Sequence, residues 1–331
     1  MKNIVVILFA LLFSSQIHAQ DSASVIAKNF IKEGDYHNAI LVLNRAIDAD
    51  QSNIELKKDL AFSYYLSRDY VKALATIKSV NEGDSPDVQS FQIQGMVYKA
   101  IEERKEAEKM YRTALRKFPK SGALYSEYGE ILWAKGDITD AAKQWERGIE
   151  VDVNYPGNYY NAAKYYYMSS DKVWGLLYGE IFVNLESYSK RTPEIKKLLL
   201  DGYKKLFTDV NISKGQGKNE FTKAVIDIMS KNAKAVNGGV TPDALSALRT
   251  RFTLGWFEKY ATKFPYRLFD HYKQLAQEGM FDAYNQWIFG AADNLPAFQQ
   301  WTIKHAEEYN KFVAFQKSRV FKLPQGQYYR K

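Results

Sequence analysis

A period of 34 residues organises the first half of this chain. An acidic residue recurs at this interval, and small residues recur with it in parallel series. The acidic series is Asp35, Asp69, Glu103, Asp137 and Asp171; the others begin Ala27, Ala61, Gly95, Gly129, Ala163, then Ala39, Ala73, Ala107, Ala141, Gly175, and Ala46, Val80, Ala114, Gly148, Phe182. A period of this length is typical of stacked supersecondary units.

Each period is interpreted as two helices joined by a turn at the acidic residue. Aspartate favours turns and helix starts because its side chain accepts backbone N–H bonds. The small residues are expected where the two helices cross closely. A larger side chain at Gly95 or Gly129 would push the helices apart and destabilise the fold by about 1–3 kcal/mol.

This pattern resembles the tetratricopeptide repeat, a helix–turn–helix unit of the same length. The resemblance covers roughly residues 20–185 as five copies, and the fifth departs from it with Gly175, Phe182 and Ser170. It implies an all-α fold: a superhelical array with a concave surface, followed here by a smaller α-helical domain.

The resemblance also implies which positions line the concave surface, namely those on the first helix of each unit. The candidates for partner contact are Tyr65, Met96, Lys99, Glu130, Trp133, Tyr160, Lys164 and Tyr167. Aromatic residues would supply contact area and lysines would select charge. The alternative is that some of these aromatics pack against neighbouring repeats. The family's lysine–asparagine clamp for a C-terminal carboxylate is absent, since only Asn161 lies near the required phase.

Residues 156–171 are the most aromatic stretch of the chain. Its tyrosines could stack on a peptide, a sugar or a nucleobase, or could fill space in a capping repeat.

Residues 1–19 are interpreted as a signal peptide. Lys2 precedes the apolar run Ile4–Phe13, which is too short to span a bilayer, and a small-residue cleavage site ends at Ala19. The chain has no cysteine, which suits a bacterial envelope protein better than a disulfide-bonded secreted one. We therefore expect export, most simply to the periplasm, with secretion as the alternative and no transmembrane segment in the mature chain.

Residues 186–331 are expected to form a basic helical domain. Residues 20–185 hold 21 Lys and Arg against 24 Asp and Glu, whereas residues 186–331 hold 24 against 14. Helices are predicted over about 193–207, 220–236 and 242–263, then from after Pro265 to Glu278, and over 296–318. Thr192 and Thr241 are the predicted N-caps, and residues 211–219 are predicted to form a basic loop.

Catalytic patterns are missing from the sequence. The three histidines beyond residue 19, at positions 37, 271 and 305, form no zinc-binding pair, no G-x-S-x-G elbow occurs, and Gly215–Lys218 lacks the other residues of a phosphate loop. The sequence therefore predicts no enzyme, no cofactor and no metal.

The predicted function is a non-catalytic scaffold of the bacterial cell envelope that binds a partner protein or peptide. One alternative is a module that binds an anionic envelope polymer or glycan through the basic domain, whose tail interleaves cations with Phe and Tyr. Another is an enzyme that acts on such a polymer. No nucleic-acid partner is expected.

Overall fold

The structure, a computed structural model, describes residues 23–208, 211–216 and 219–330. The predicted signal peptide, residues 1–19, lies outside this part. Within the described ranges every regular element is helical, which confirms the all-α fold class. None of the described helices is both long enough and apolar enough to cross a bilayer.

Five helical hairpins follow the 34-residue period. They are α1 (23–33) with α2 (Tyr36–Ala49), α3 (Ile54–Leu66) with α4 (Tyr70–Asn81), α5 (Val88–Ala100) with α6 (Arg104–Lys117), α7 (Gly122–Lys135) with α8 (Ile138–Val151), and α9 (Pro156–Met168) with α10 (Lys172–Leu185). We call the first member of each hairpin its first helix.

Eight further helices follow in the described residues after 185. They are α11 (Thr192–Leu206), α12 (Glu220–Asn232), α13 (Pro242–Lys259), α14 (Arg267–Gln277), α15 (Phe281–Asn285), α16 (Ala291–Asp293), α17 (Leu295–Lys304) and α18 (Ala306–Ser318). A 3₁₀ turn, Ala233–Val236, extends α12, and a π-helical turn, Gln286–Gly290, joins α15 to α16.

The acidic markers stand at helix starts, as predicted. The Asp35 carboxylate accepts the Asn38 N–H at 3.1 Å, and the Asp69 carboxylate accepts the Lys72 N–H at 3.2 Å. Glu103 occupies the same N-cap position before α6. These residues therefore end the turn inside each hairpin and precede its second helix. This role is structural.

The small residues lie where helices cross. Ala27, Ala39, Ala61 and Ala73 have no exposed surface. A Cβ atom on Gly95 would collide with the hydroxyl of Tyr111, a buried residue on the second helix of the same hairpin. The predicted close approach is confirmed at this position.

The chain forms two compact units, one up to Ala141 and one from Ala142 onward. The second unit starts before the predicted end of the repeats at residue 185, because the fifth hairpin packs against the helices that follow it. Trp174 of α10 stacks on Phe221 of α12 with ring centroids 5.6 Å apart.

Two sequence predictions in the second unit were wrong in detail. Thr192 is the first residue of α11 and not its N-cap, because its hydroxyl turns back to donate to the Glu186 carbonyl at 2.6 Å. The helix predicted over 296–318 is two helices, since His305 leaves helical geometry with φ −113° and ψ 37°. Its ring stacks on Trp301 at 4.5 Å. Thr241 caps α13 as predicted.

Candidate functional site

The first helices of unit 1 lie side by side, joined by polar contacts about one period apart. Ser24 of α1 donates to Asp59 of α3 at 2.6 Å, and Gln92 of α5 donates to Glu127 of α7 at 2.7 Å. Lys58 of α3 is paired with Asp87, the N-cap of α5. These helices therefore form a continuous surface, which we call the first-helix face.

Lys99 and Glu130, predicted as separate contact residues, form an ion pair. Their Nζ and Oε2 atoms are 3.1 Å apart, and the two side chains are 38% and 39% exposed. The pair therefore presents a cation and an adjacent anion to a ligand. It does not present the isolated positive charge that would select acidic partners. At this exposure the pair is worth at most about 1 kcal/mol, so a ligand can reorganise it.

The aromatic and sulfur candidates of unit 1 are partly exposed on the same helices. Tyr65 stacks on Phe62 with ring centroids 6.2 Å apart and contacts Tyr70 at 6.0 Å. Met96 and Trp133 are each intermediate in exposure, on α5 and α7. Each therefore retains exposed side-chain surface that a partner could contact.

A half-buried carboxylate, Glu127, lies on α7 among polar partners from neighbouring helices. Glu127 accepts hydrogen bonds from Gln92 and from the Tyr111 hydroxyl, the latter at 2.8 Å. Burial raises the pKa of the Glu127 carboxyl above its ordinary value, against the effect of these bonds. Because its partners come from α5 and α6 while Glu127 itself belongs to α7, it fixes the spacing of the helices that carry Met96 and Trp133.

Tyr160 and Lys164 meet on a second cluster, within unit 2. The Tyr160 hydroxyl donates to Glu194 Oε2 at 2.6 Å, and Lys164 Nζ lies 2.9 Å from Glu194 Oε1. Burial would raise the pKa of Glu194, but the bonds from Tyr160 and Lys164 lower it overall. The Arg191 guanidinium lies 4.8 Å from the Tyr160 ring centroid.

Glu194 belongs to this cluster although the sequence analysis did not single it out. It lies one period after Tyr160, on α11, so α11 takes the place of a first helix beyond the fifth repeat. The 34-residue step itself was the signal that could have found it. The small-residue series ends by residue 182, and without it the sequence predicts no further repeat.

Tyr167 lies about one helical turn after Lys164 on α9. The Lys205 ammonium sits 3.7 Å from its ring centroid. A cation held over an aromatic face at this distance is stabilised by the ring quadrupole. The structure thus divides the eight candidates by unit: Tyr65, Met96, Lys99, Glu130 and Trp133 in the first, Tyr160, Lys164 and Tyr167 in the second.

Unit 2 also holds a cleft of about 550 Å³ that sequence reasoning missed. Its walls include the hydroxyls of Ser187, Ser189 and Thr192 and the side chains of Lys196 and Trp287. No sequence motif marks Lys196, because its surroundings are set by the distant π-helical turn.

A second cleft of about 470 Å³ carries carboxylates, and these are already bonded. The Asp243 carboxylate accepts from Gln286 at 2.8 Å, Glu308 accepts the Ala283 N–H at 2.9 Å, and Asp282 accepts from Ser246. Across the described ranges, no group of three His, Asp or Glu side chains is placed to hold a metal ion.

The three histidines named in the sequence lie in different surroundings. His37 is exposed on α2 and His305 stacks on Trp301. His271 is fully buried among Tyr284, Phe315 and Phe321, and burial lowers its pKa well below the ordinary value. A neutral imidazole in an aromatic cage is a packing residue.

Two tetratricopeptide-repeat family models match the sequence, one over residues 30–92 and the other over 94–159. A search of curated proteins found no match. Among solved structures, a thermophilic tetratricopeptide-repeat protein of Thermus thermophilus is similar, with 14% identity, 55% of this chain and 99% of that one covered, and a TM-score of 0.46.

A tetratricopeptide-repeat protein from Parabacteroides merdae ATCC 43184 is similar with 13% identity, over 78% of this chain and 99% of that one, at a TM-score of 0.44. YrrB, a tetratricopeptide-repeat protein with an unusual peptide-binding site, is similar with 16% identity. The match covers 53% of this chain and 90% of that one, with a TM-score of 0.39. The period, the helical hairpins and both family models agree that residues 30–159 of this chain are tetratricopeptide repeats.

Proposed function

We propose that this chain is a non-catalytic scaffold of the bacterial cell envelope that binds a partner protein or peptide on the first-helix face of its repeats. The tetratricopeptide-repeat fold in general serves protein–protein interaction, through the extended surface that stacked helix pairs create. The observation that supports the proposal is the row of exposed and partly exposed candidate residues on adjacent first helices of unit 1.

The chemistry of this face favours a peptide that carries apolar anchors and both charges. Tyr65 and Trp133 are of the residue types that dominate binding energy at interfaces. Lys99 and Glu130 offer a donor and an acceptor side by side, so they would orient a partner without requiring it to be acidic or basic overall.

Site-specific photocrosslinking in intact cells tests this proposal. A photoreactive amino acid is placed at Met96 on the first-helix face, and at Val71, an 82% exposed residue of α4, as the matched control. We expect one dominant protein adduct from Met96 and none from Val71. Alanine at Tyr65 and Trp133 together should reduce the adduct at least tenfold.

The control substitution is alanine at Leu41 and Ile138, which are 40% and 45% exposed and leave the proposed contacts in place. It should leave the adduct unchanged. The same adduct from Val71, or full capture by the Tyr65 and Trp133 variant while it still melts cooperatively, would overturn the proposal. Glycan or lipid adducts alone would instead support the polymer-binding alternative.

Export is proposed from residues 1–19 alone. Mass spectrometry of the mature N-terminus from a periplasmic fraction tests it. A chain that begins at Gln20 supports export, and a chain that retains Met1 in the cytoplasmic fraction contradicts it.

A further inference from the structure

The last described residues, 319–330, run without regular structure after α18 and return to the body of unit 2. We call this segment the tail. It contains the interleaved cations and aromatics noted in the sequence. Two anchors hold it to the body, and between them the Gln327 side chain accepts the Arg267 N–H at 2.6 Å.

The inner anchor holds the backbone of Leu323. The Asn154 side chain, in the loop between α8 and α9, donates to the Leu323 carbonyl at 3.2 Å and accepts the Leu323 N–H at 2.8 Å. Phe321 and Leu323 are buried. An amide that bonds both backbone groups of one residue recognises extended chain of any sequence, whereas the two buried side chains require apolar residues.

The outer anchor holds Tyr329. Its ring stacks on Phe221 with centroids 4.7 Å apart and an interplanar angle of 19°. Its hydroxyl donates to the Pro265 carbonyl at 2.8 Å, and its own carbonyl accepts from Asn219 at 2.8 Å. This site takes an aromatic residue with a polar tip.

Arg330 ends the outer anchor in an acidic corner of unit 2. Its Nε atom donates to the Tyr166 hydroxyl at 3.0 Å and lies 3.2 Å from Glu146 Oε1, and its Nη2 atom is 3.8 Å from Asp171. Burial raises the pKa of Glu146 above its ordinary value, and the nearby Arg330 charge acts in the opposite direction. Two carboxylates and a phenol around one guanidinium require a cation here.

The stretch between the anchors is exposed. Pro324, Gln325 and Gly326 face solvent, as do Lys322 and Val320 at the start of the tail. The tail is therefore fastened like a bound peptide, mainly at two separated points, and where it leaves α18 the Arg319 guanidinium donates to Asn184 at 2.6 Å.

We propose that the inner and outer anchors together form a peptide-recognition site in unit 2, that the tail is its resident occupant, and that the tail of a second copy of this chain can occupy it in trans. The pattern it recognises is a pair of apolar residues followed by an aromatic residue and an arginine. An attached tail has a local concentration on the order of millimolar, so a free peptide must compete with it. The site is separate from the first-helix face and does not rest on the proposed function.

The test uses the full chain and a fluorescent peptide of residues 319–331. In the variant Tyr329→Ser, Arg330→Glu the resident tail loses its outer anchor. We expect this variant to bind the peptide saturably in fluorescence anisotropy, at least tenfold more tightly than the unaltered chain does. A peptide that itself carries Arg330→Glu should bind at least tenfold more weakly.

The matched control is Lys322→Glu, a charge reversal at an exposed tail position, which should behave as the unaltered chain. Equal binding by all three chains, or equal binding of both peptides, would overturn the proposal. Hydrogen exchange on the unaltered chain decides the matter independently of any variant. The Leu323 amide should exchange faster than the amides of α13, and equal protection would make the tail an integral part of the core.

Discussion

At the scale of single residues, Lys196 is the most unusual cation in the described part of the chain. Its Nζ atom lies 3.5 Å from the Trp287 ring centroid and donates to the Trp287 carbonyl at 2.7 Å. Burial lowers its pKa to about 7. The indole face and one carbonyl stabilise the ammonium less than water does, so the folded chain favours the neutral amine.

We predict that Lys196→Met stabilises the protein in a pH-dependent way. Between pH 7 and 10.5 the unfolded chain holds a proton at this position that the folded chain has lost, so the free energy of unfolding of the unaltered protein rises across this window. The advantage of Lys196→Met should be greatest at pH 7 and below, about 3–5 kcal/mol, and should shrink toward pH 10.5.

Urea unfolding at a series of pH values measures this difference. Lys197→Met removes an exposed neighbour of the same type and should change the free energy of unfolding by less than about 0.5 kcal/mol. Parallel pH curves for Lys196→Met and the unaltered protein would contradict the prediction.

The residue scale also shows where sequence reasoning ends. The period predicted the N-caps at Asp35 and Asp69, because a cap depends on local chain geometry. It did not predict that Lys99 would be paired with Glu130 or Lys164 with Glu194, since these bonds depend on which rotamers meet across two helices. Which of the candidate residues touch a partner stays a prediction.

At the scale of elements, a buried ion pair joins α10 to α13. Glu180 and Arg249 bond each other, and both side chains are only 2% exposed. The Tyr284 hydroxyl donates to Glu180 at 2.8 Å, and Arg249 also bonds Asn285. The pair is thus satisfied from several sides, which is the condition under which buried charges are tolerated.

We predict that Arg249→Met destabilises unit 2 by about 3–5 kcal/mol, because it leaves the Glu180 carboxylate buried without its counter-charge. The double variant Glu180→Met, Arg249→Met should recover part of this loss, since no charge then remains buried. Lys231→Met breaks only the exposed pair with Asp227 and should cost less than about 1 kcal/mol.

Denaturant unfolding of the three variants gives these free energies. A double variant that is as unstable as Arg249→Met would show that packing, and not the unpaired charge, accounts for the loss.

Element boundaries were predictable where signals are local and not where they are tertiary. Thr241, Pro242 and the apolar spacing predicted the start of α13. The π-helical turn at Gln286–Gly290 has its Trp287 carbonyl bonded by Lys196, which is distant in sequence, and the break at His305 is marked by no glycine or proline.

At the scale of the whole molecule, the repeat period and the compact units differ in extent. The period predicts five hairpins, yet the second unit starts at Ala142. The reason lies in contacts far apart in sequence, such as Asn184 with Tyr284 at 2.6 Å, which attach the fifth hairpin to the later helices. A pattern of spacing within the repeats carries no information about such contacts.

The two units should unfold as separable transitions. Gly95→Ala forces the Tyr111 hydroxyl away from Glu127 and should destabilise unit 1 by about 1–3 kcal/mol. Arg249→Met acts in unit 2. In calorimetry the total unfolding enthalpy should exceed the van't Hoff enthalpy, as for a protein with more than one cooperative unit.

Each variant should lower the midpoint of a different transition. Gly238→Ala, where an added Cβ meets nothing within 4 Å, is the control and should move neither midpoint. If both variants instead shift one common transition, the chain unfolds as a single cooperative unit, and the boundary at Ala142 describes packing density without describing stability.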